Sequence, residues 1–325
     1  MTDHDGQTGQ VTLRPVNRTD LSAMHAVHRD CEVHDREPQV TTLTLFEEEL
    51  CNDPVDLATD VLVAEHAGSI VGFVYTYHLP SDVREERCYV FGNVAPSFRR
   101  RGVGTQLMRW AMGRAEQQLR SSGHSLPRFI RVDRLDHVEG AHALYRSMGM
   151  TPVRYHEELL RSLDDLPPVT VPEGARIVPW PAERSDELRA VKNEAFADHW
   201  GSTPTSDEHW RQLTEGSFSR LDLSSAVLDE HDRIVALCLV TRFPEDDELL
   251  GRRDAWIDKL ATVREWRGRG LASALVAHSL QMFRADGLTH ASIGVDADNP
   301  TGAARLYKAL GFRTQHRNTT SQLEV

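Results

Sequence analysis

Short runs rich in β-branched and apolar residues alternate with longer segments whose apolar positions recur three and four residues apart, and the whole order runs through the chain twice. The first pass predicts a strand over 11–16, helical segments over 20–30 and 42–51, and strands over 60–66, 70–78 and 87–95. A helix over 104–121, a strand over 128–134, a helix over 138–148 and a last strand pair from 150 to 162 complete it. The second pass predicts a strand over 175–179, helices over 184–197 and 206–214, and strands over 223–229, 233–241 and 254–263. It closes with a helix over 270–286, a strand over 289–296, a helix over 300–310 and a strand over 312–323. Strands and helices mixed in this way predict an α/β (α+β) fold, once per half.

Two matched motifs sharpen the repeat. VFGNVAPSFRRRGVGTQLMRWAMGRAEQQL surrounds residue 100, and IDKLATVREWRGRGLASALVAHSLQMF surrounds residue 268. Each is a strand, a basic turn with two small residues two apart, and an amphipathic helix. Further on, AHALYRSMGM (141–150) matches AARLYKALGF (303–312). Two motifs in one order and at similar spacing point to duplication. Between the copies, Pro167, Pro168, Pro172, Gly174 and Pro179 mark a linker followed by the first strand of a new domain. The expected boundary lies near residue 168, giving domains 1–168 and 169–325.

Composition adds limits. The 325 residues are 40% hydrophobic and 26% charged, ordinary for globular domains and enough for two cores. No apolar run approaches the roughly 18 residues of a membrane span, and the polar start MTDHDGQTGQ does not resemble a signal peptide. The net charge of −12 argues against general affinity for nucleic acid and suits an amine substrate. Cys31, Cys51, Cys88 and Cys238 show no paired metal spacing, so no metal site is expected. They read as reduced and mostly buried thiols of a cytoplasmic protein. Only Lys192, Lys259 and Lys308 among the 37 basic residues are lysines, a bias that suggests a high-GC genome.

The chemistry concentrates at the basic turns. A strand ends near Val263 and a helix begins near Gly270, whose first-turn amides lack intrahelical partners and carry the positive end of the dipole. Small residues at Gly268, Gly270 and Ala272 let a ligand approach that backbone, while Arg267 and Arg269 add charge. Arg99, Arg100, Arg101, Gly102, Val103 and Gly104 repeat the design in the first half. A plain tight turn with solvated arginines is the competing reading. The glycine spacing matches neither a Walker loop nor a Rossmann fingerprint.

The pattern Arg267 to Ala272 after a strand, followed by Asn299-Pro300, Leu306-Tyr307 and Gly311-Phe312, resembles the acetyl-CoA signature of the GNAT superfamily. The resemblance covers nearly the whole chain, once per half. It implies a mixed, mostly antiparallel sheet flanked by helices, with the fourth and fifth strands splayed to admit a pantetheine arm. Two such domains at this length also resemble, in architecture, the mycothiol synthases, whose C-terminal domain carries the reaction. Acetyl-CoA is the implied co-substrate. Implied coenzyme contacts are Leu260, Thr262, Val263, Arg267, Gly268, Arg269, Gly270, Leu271, Ala272 and Asn299. In the first half they are Val94, Arg99, Arg100, Arg101, Gly102, Val103 and Gly104.

Direct attack of an amine on the thioester needs a base, oxyanion donors and a proton for the departing thiolate. Tyr307 matches the family's acid, with Tyr145 as its counterpart. Asp258 is the candidate base, on a strand whose alternation places Trp256, Asp258, Leu260 and Thr262 on one face. Val90 and Cys88 hold the matching positions in the first half, and neither is a good base. His137 falls where the second half has Asn299. Both asymmetries put catalysis in the C-terminal copy. Phe196, His199 and Trp200, on the loop after the first helix, are candidate walls for a small-molecule amine. A regulatory acyl-CoA-binding module and a protein or peptide N-acetyltransferase remain as alternatives.

Overall fold

The computed structural model describes residues 10–38, 40–51, 55–81, 83–123, 125–200, 202–298 and 302–325. The first repeat runs β1 (Thr12–Pro15), α1 (Leu21–Asp35), α2 (Leu43–Cys51), α3 (Leu57–Asp60), β2 (Val61–His66), β3 (Ser69–Leu79) and β4 (Glu86–Val94). It continues with α4 (Val103–Ser121), β5 (Arg128–Leu135), α5 (Glu139–Ser147) and β6 (Thr151–Ser162). The second runs β7 (Ala175–Pro179), α6 (Ser185–Ala195), α7 (Asp207–Glu215), β8 (Ser225–Asp229), β9 (Ile234–Thr241), α8 (Asp246–Leu250) and β10 (Asp254–Thr262). α9 (Leu271–Ala285), β11 (His290–Asp296), α10 (Ala303–Ala309) and β12 (Arg313–Glu324) complete it. The expected strand pair over 150–162 is one continuous strand, because no turn residue interrupts Val153 to Ser162.

Contacts divide the chain into two compact units, Met1–Arg154 with Asn318–Val325, and Tyr155–Arg317. The boundary expected near residue 168 thus moves to the middle of β6, and the last residues join unit 1. Pairing explains why. Asn318–Glu324 of β12 run antiparallel to Phe129–Leu135 of β5, completing the sheet of unit 1. His156–Ser162 of β6 run antiparallel to His290–Asp296 of β11, completing the sheet of unit 2. Each repeat therefore lends its last strand to the sheet of the other.

Within unit 1, β1 to β4 pair antiparallel in sequence order and β4 pairs parallel with β5. Alternation sorts the strands onto two faces. Leu62, Ala64 and Val74 join Leu107, Met108 and Leu119 of α4. Val61, Val63, Phe73 and Tyr75 join Met24 and Val27 of α1 and Phe46 of α2. Unit 2 repeats the order with β7 to β10 antiparallel and β10 parallel to β11. Its core gathers Leu237, Ile257, Leu275, Leu280 and Ile293, with Leu188 of α6 and Leu159 of β6. Cys31, Cys88 and Cys238 are buried free thiols and Cys51 is exposed. No helix among the described residues is long and apolar enough to cross a membrane.

Candidate active site

In unit 2 the parallel ladder between β10 and β11 covers only Asp254–Ile257 against His290–Ile293, although both strands continue. Where it stops, β10 bulges. Ile257 faces Val240 and Lys259 faces Leu239, so Asp258 is the extra residue. A bulge leaves its extra residue outside the ladder and re-aims the side chain. The single-face series from Trp256 to Thr262 is therefore broken at Asp258. Asp258 Oδ1 accepts from Lys259 Nζ at 2.8 Å. Its Oδ2 is buried with no hydrogen-bond partner among the described residues, an acceptor left open for a donor. Leu260 and Thr262 stay paired with Cys238 and Ala236 of β9, and the Val263 amide donates to the Val235 carbonyl at 3.0 Å. Their edge toward β11 is outside the parallel ladder.

Past a 3-10 turn at Arg264–Trp266, Gly268 and Gly270 take φ of 73° and 91°. A Cβ at Gly268 would meet nothing within 4 Å, so conformation rather than crowding calls for glycine there. Gly270 caps α9, leaving the amides of Leu271 and Ala272 in the first turn. Arg269 lies over the Trp266 ring at 4.7 Å. Arg267, expected to add charge for a phosphate, also has a structural duty. Its Nε donates to the Thr262 carbonyl at 3.2 Å and its Nη2 to the Ala195 carbonyl at 2.8 Å. It ties the loop to the strand before it and to the end of α6.

Unit 1 repeats the loop with different chemistry. Arg99 Nε donates to the Val94 carbonyl at 3.1 Å, and its guanidinium grips Asp35 at the end of α1 at 2.6 and 2.8 Å. Arg134 joins the same carboxylate at 2.6 Å and Glu37 at 2.8 Å. Burial pushes the Asp35 carboxyl up, but the two guanidinium groups outweigh it and hold it below its usual value. Arg101 lies over Phe98 at 5.0 Å, matching Arg269 over Trp266. Gly102 caps α4 at φ 83°, and Arg100, at the place of Gly268, takes φ 62°. β4 pairs with β5 only over Glu86–Tyr89, and its register with β3 is unbroken from Arg87 to Val94. No bulge accompanies Val90. Past Tyr89 a cavity of about 560 Å³ opens, lined by Val90, Phe91, Gly102, Gly104, Leu144 and Tyr145 among others.

Tyr307, on α10, is buried and packs edge to face with Phe312, ring centres 6.0 Å apart. Burial raises its phenol above the ordinary range. Burial likewise pushes Tyr145 up to about 12. Both phenols hold their protons at neutral pH. His137 Nε2 lies 2.6 Å from the Asp35 carbonyl, tying α1 to the segment after β5. Asn299 falls outside the described residues. Phe196 and His199 sit ring to ring at 5.4 Å, and His199 Nδ1 lies 3.1 Å from the Trp200 carbonyl.

Sequence reading missed Lys192. It sits on α6, which packs on β9 and β10, and is 5% exposed. Its Nζ donates to Thr205 Oγ1 and lies 5.5 Å from the centre of the Phe196 ring. Burial, then Lys259, lowers it to about 8 against the pull of Asp258. The scarcity of lysine was the available signal.

Splayed parallel strands beside a glycine loop that opens a helix make up the acyl-coenzyme A type of α/β unit, and it occurs twice here. Sequence profiles agree: the acetyltransferase (GNAT) family matches residues 185–312 and the acetyltransferase (GNAT) domain matches 58–151. The chain belongs to the GNAT acetyltransferase family, with one GNAT domain in each half. It is similar to a mycothiol acetyltransferase of Acidothermus cellulolyticus, 31% identical over 68% of this chain and 66% of that protein. One from Mycobacterium sp. (strain JLS) is 29% identical over 78% of this chain and 79% of that protein. Among solved structures, a GCN5-related N-acetyltransferase from Sphaerobacter thermophilus has a TM-score of 0.75 at 23% identity, covering 97% of this chain and 95% of that one. A tandem GNAT protein from the clavulanic acid biosynthesis pathway has a TM-score of 0.71 at 16% identity, covering 97% and 98%.

Proposed function

We propose that unit 2 transfers the acetyl group of acetyl-CoA to the primary amine of a small molecule by direct attack, in the cytoplasm. The observation that carries this reading is the bulge at Asp258, at the mouth of the splayed strands, which unit 1 lacks. The site fits the thioester substrate. Left-handed glycines keep Cβ atoms away from the first-turn amides of α9, which suit a pyrophosphate. The unpaired edges of β10 and β11 suit an extended pantetheine amide chain. Relatives named mycothiol acetyltransferases favour a small-molecule acceptor.

In the reaction the amine nitrogen bonds to the thioester carbonyl carbon and the carbon–sulfur bond breaks. Asp258, directly or through a water, takes the proton that the amine loses. Tyr307, kept protonated by burial, returns a proton to the thiolate. An acceptor panel read by release of free coenzyme thiol tests the assignment. Tyr307→Phe should lower kcat by about 10²- to 10⁴-fold with coenzyme affinity kept, and Tyr145→Phe should change little. Collapse of Tyr145→Phe with an active Tyr307→Phe would reverse the assignment. The cavity in unit 1 favours a second role there: holding an acyl-CoA without turnover, since Val90 offers no base.

A further inference from the structure

Among the described residues three cations are buried: Arg87, Arg131 and Lys192. Arg87 and Arg131 both pair with Glu85, at 3.4 and 2.8 Å. Lys192 differs. Its partners are neutral: the Thr205 hydroxyl, the Asn193 side-chain oxygen at 3.4 Å and the face of Phe196. A buried ammonium without a counter-ion is costly, and natural interiors supply one. The charged and titratable groups around it are few. Asp258 and Lys259 act on it from β10, and its own charge and theirs act on His209 of α7. Asp258 does not serve as its partner, because one oxygen is held by Lys259 and the other has no hydrogen bond. In a chain with 37 basic residues and three lysines, two of the three stand at this site.

Building on the assignment of acetyl transfer to unit 2, we propose that the amine acceptor also carries a carboxylate, which pairs with Lys192 while the amine faces Asp258. The acceptor is thus amino-acid-like rather than a simple amine or a neutral amino sugar. The open oxygen of Asp258 supplies the site for the amine, and the uncompensated ammonium supplies the site for the acid. Phe196, already in contact with Lys192, offers an apolar face to the rest of the acceptor. No third charge on the acceptor is needed.

Two measurements test this. Wild-type protein is offered amino acids and their matching carboxamides, with thiol release as the readout. The free acids should be preferred by about 10- to 100-fold in kcat/KM, the range of a hydrogen bond to a charged group. Lys192→Met should erase the preference and Lys192→Arg should retain part of it. Equal use of acids and carboxamides by wild type overturns the proposal. The second readout needs no turnover. Lysine labelled with ¹³C at Cε gives three signals, assigned with Lys259→Arg and Lys308→Arg. With glycine or acetate added to wild type, the midpoint of the Lys192 titration should rise from about 8 by about one pH unit or more. An unmoved midpoint at saturating carboxylate overturns the proposal. Absence of acetylation of every acceptor would instead count against acetyl transfer, leaving the titration to decide the binding claim.

Discussion

Arg100 and Gly268 occupy the same place in the two loops, and both take a left-handed backbone, at φ 62° and 73°. For a residue with a Cβ that conformation costs about 1–2 kcal/mol. Arg100 is exposed and forms no hydrogen bond or ion pair among the described residues, so nothing local offsets the cost. Arg100→Gly should therefore stabilise unit 1. Greater freedom of the unfolded chain returns about 0.4–1 kcal/mol of the gain, leaving a net of roughly 0.5–1 kcal/mol, visible as a higher midpoint in urea. Gly268→Arg should lower the stability of unit 2 by a similar amount. A destabilised Arg100→Gly would mean that the arginine contributes more than its backbone costs. The glycine loops were legible in the sequence because left-handed positions restrict residue choice. Lys192 was not, because its meaning lies in burial among neutral hydrogen-bond partners with no carboxylate bonded to it, which only the fold reveals.

At the scale of strands and helices, periodicity located nearly every element, since each has an apolar face long enough to mark. The bulge at Asp258 left no such mark: the adjacent charges Asp258 and Lys259, set between Trp256-Ile257 and Leu260-Ala261, do not say which residue leaves the ladder. It exists because β9 and β10 pair with one residue to spare, a property of two strands together. β6 carries a second hidden feature. Glu158, opposite Gly294 in the ladder with β11, is 9% exposed. Burial, with help from Asp254 and Asp246 and against Arg252, raises its carboxyl to about 7 from 4.5. The folded state then resists ionisation more than the unfolded chain does. Stability from this group is full below pH 4.5 and is lost as pH rises toward 7. Glu158→Gln should match wild type in acid, gain stability from pH 4.5 upward, and level off above 7. At about 1.4 kcal/mol per pH unit the gain reaches at most about 3.5 kcal/mol. Thermal melts at pH 4, 6 and 8 would check it; a gain independent of pH would point to packing rather than charge.

For the molecule as a whole, the duplication was legible and the exchange of last strands was not. Periodicity says that 313–324 is a strand but not which edge it joins, and the prolines near residue 168 drew the boundary away from β6. Seven ladder positions join Asn318–Glu324 to β5. Side chains strengthen the join: Thr319 bonds Asp136, Thr320 bonds Asp133, and Gln322 accepts from Arg131 at 3.1 Å. At a net of about 0.5–1.5 kcal/mol per hydrogen bond, deleting 318–325 should remove several kcal/mol from unit 1, a large part of a typical domain's stability. Amide exchange should quicken across β4, β5 and α4, while β9 and α9 change far less. Uniform loss of protection over both units would show that they unfold together. The exchange also sets a clock for synthesis. Leu135 pairs with Asn318, so the ribosome adds about 180 residues after β5 before its partner exists. At roughly 5–20 residues per second that is on the order of 10–40 s. Throughout that interval the nascent N-terminal sheet presents an open edge at β5, competent to pair with any passing strand.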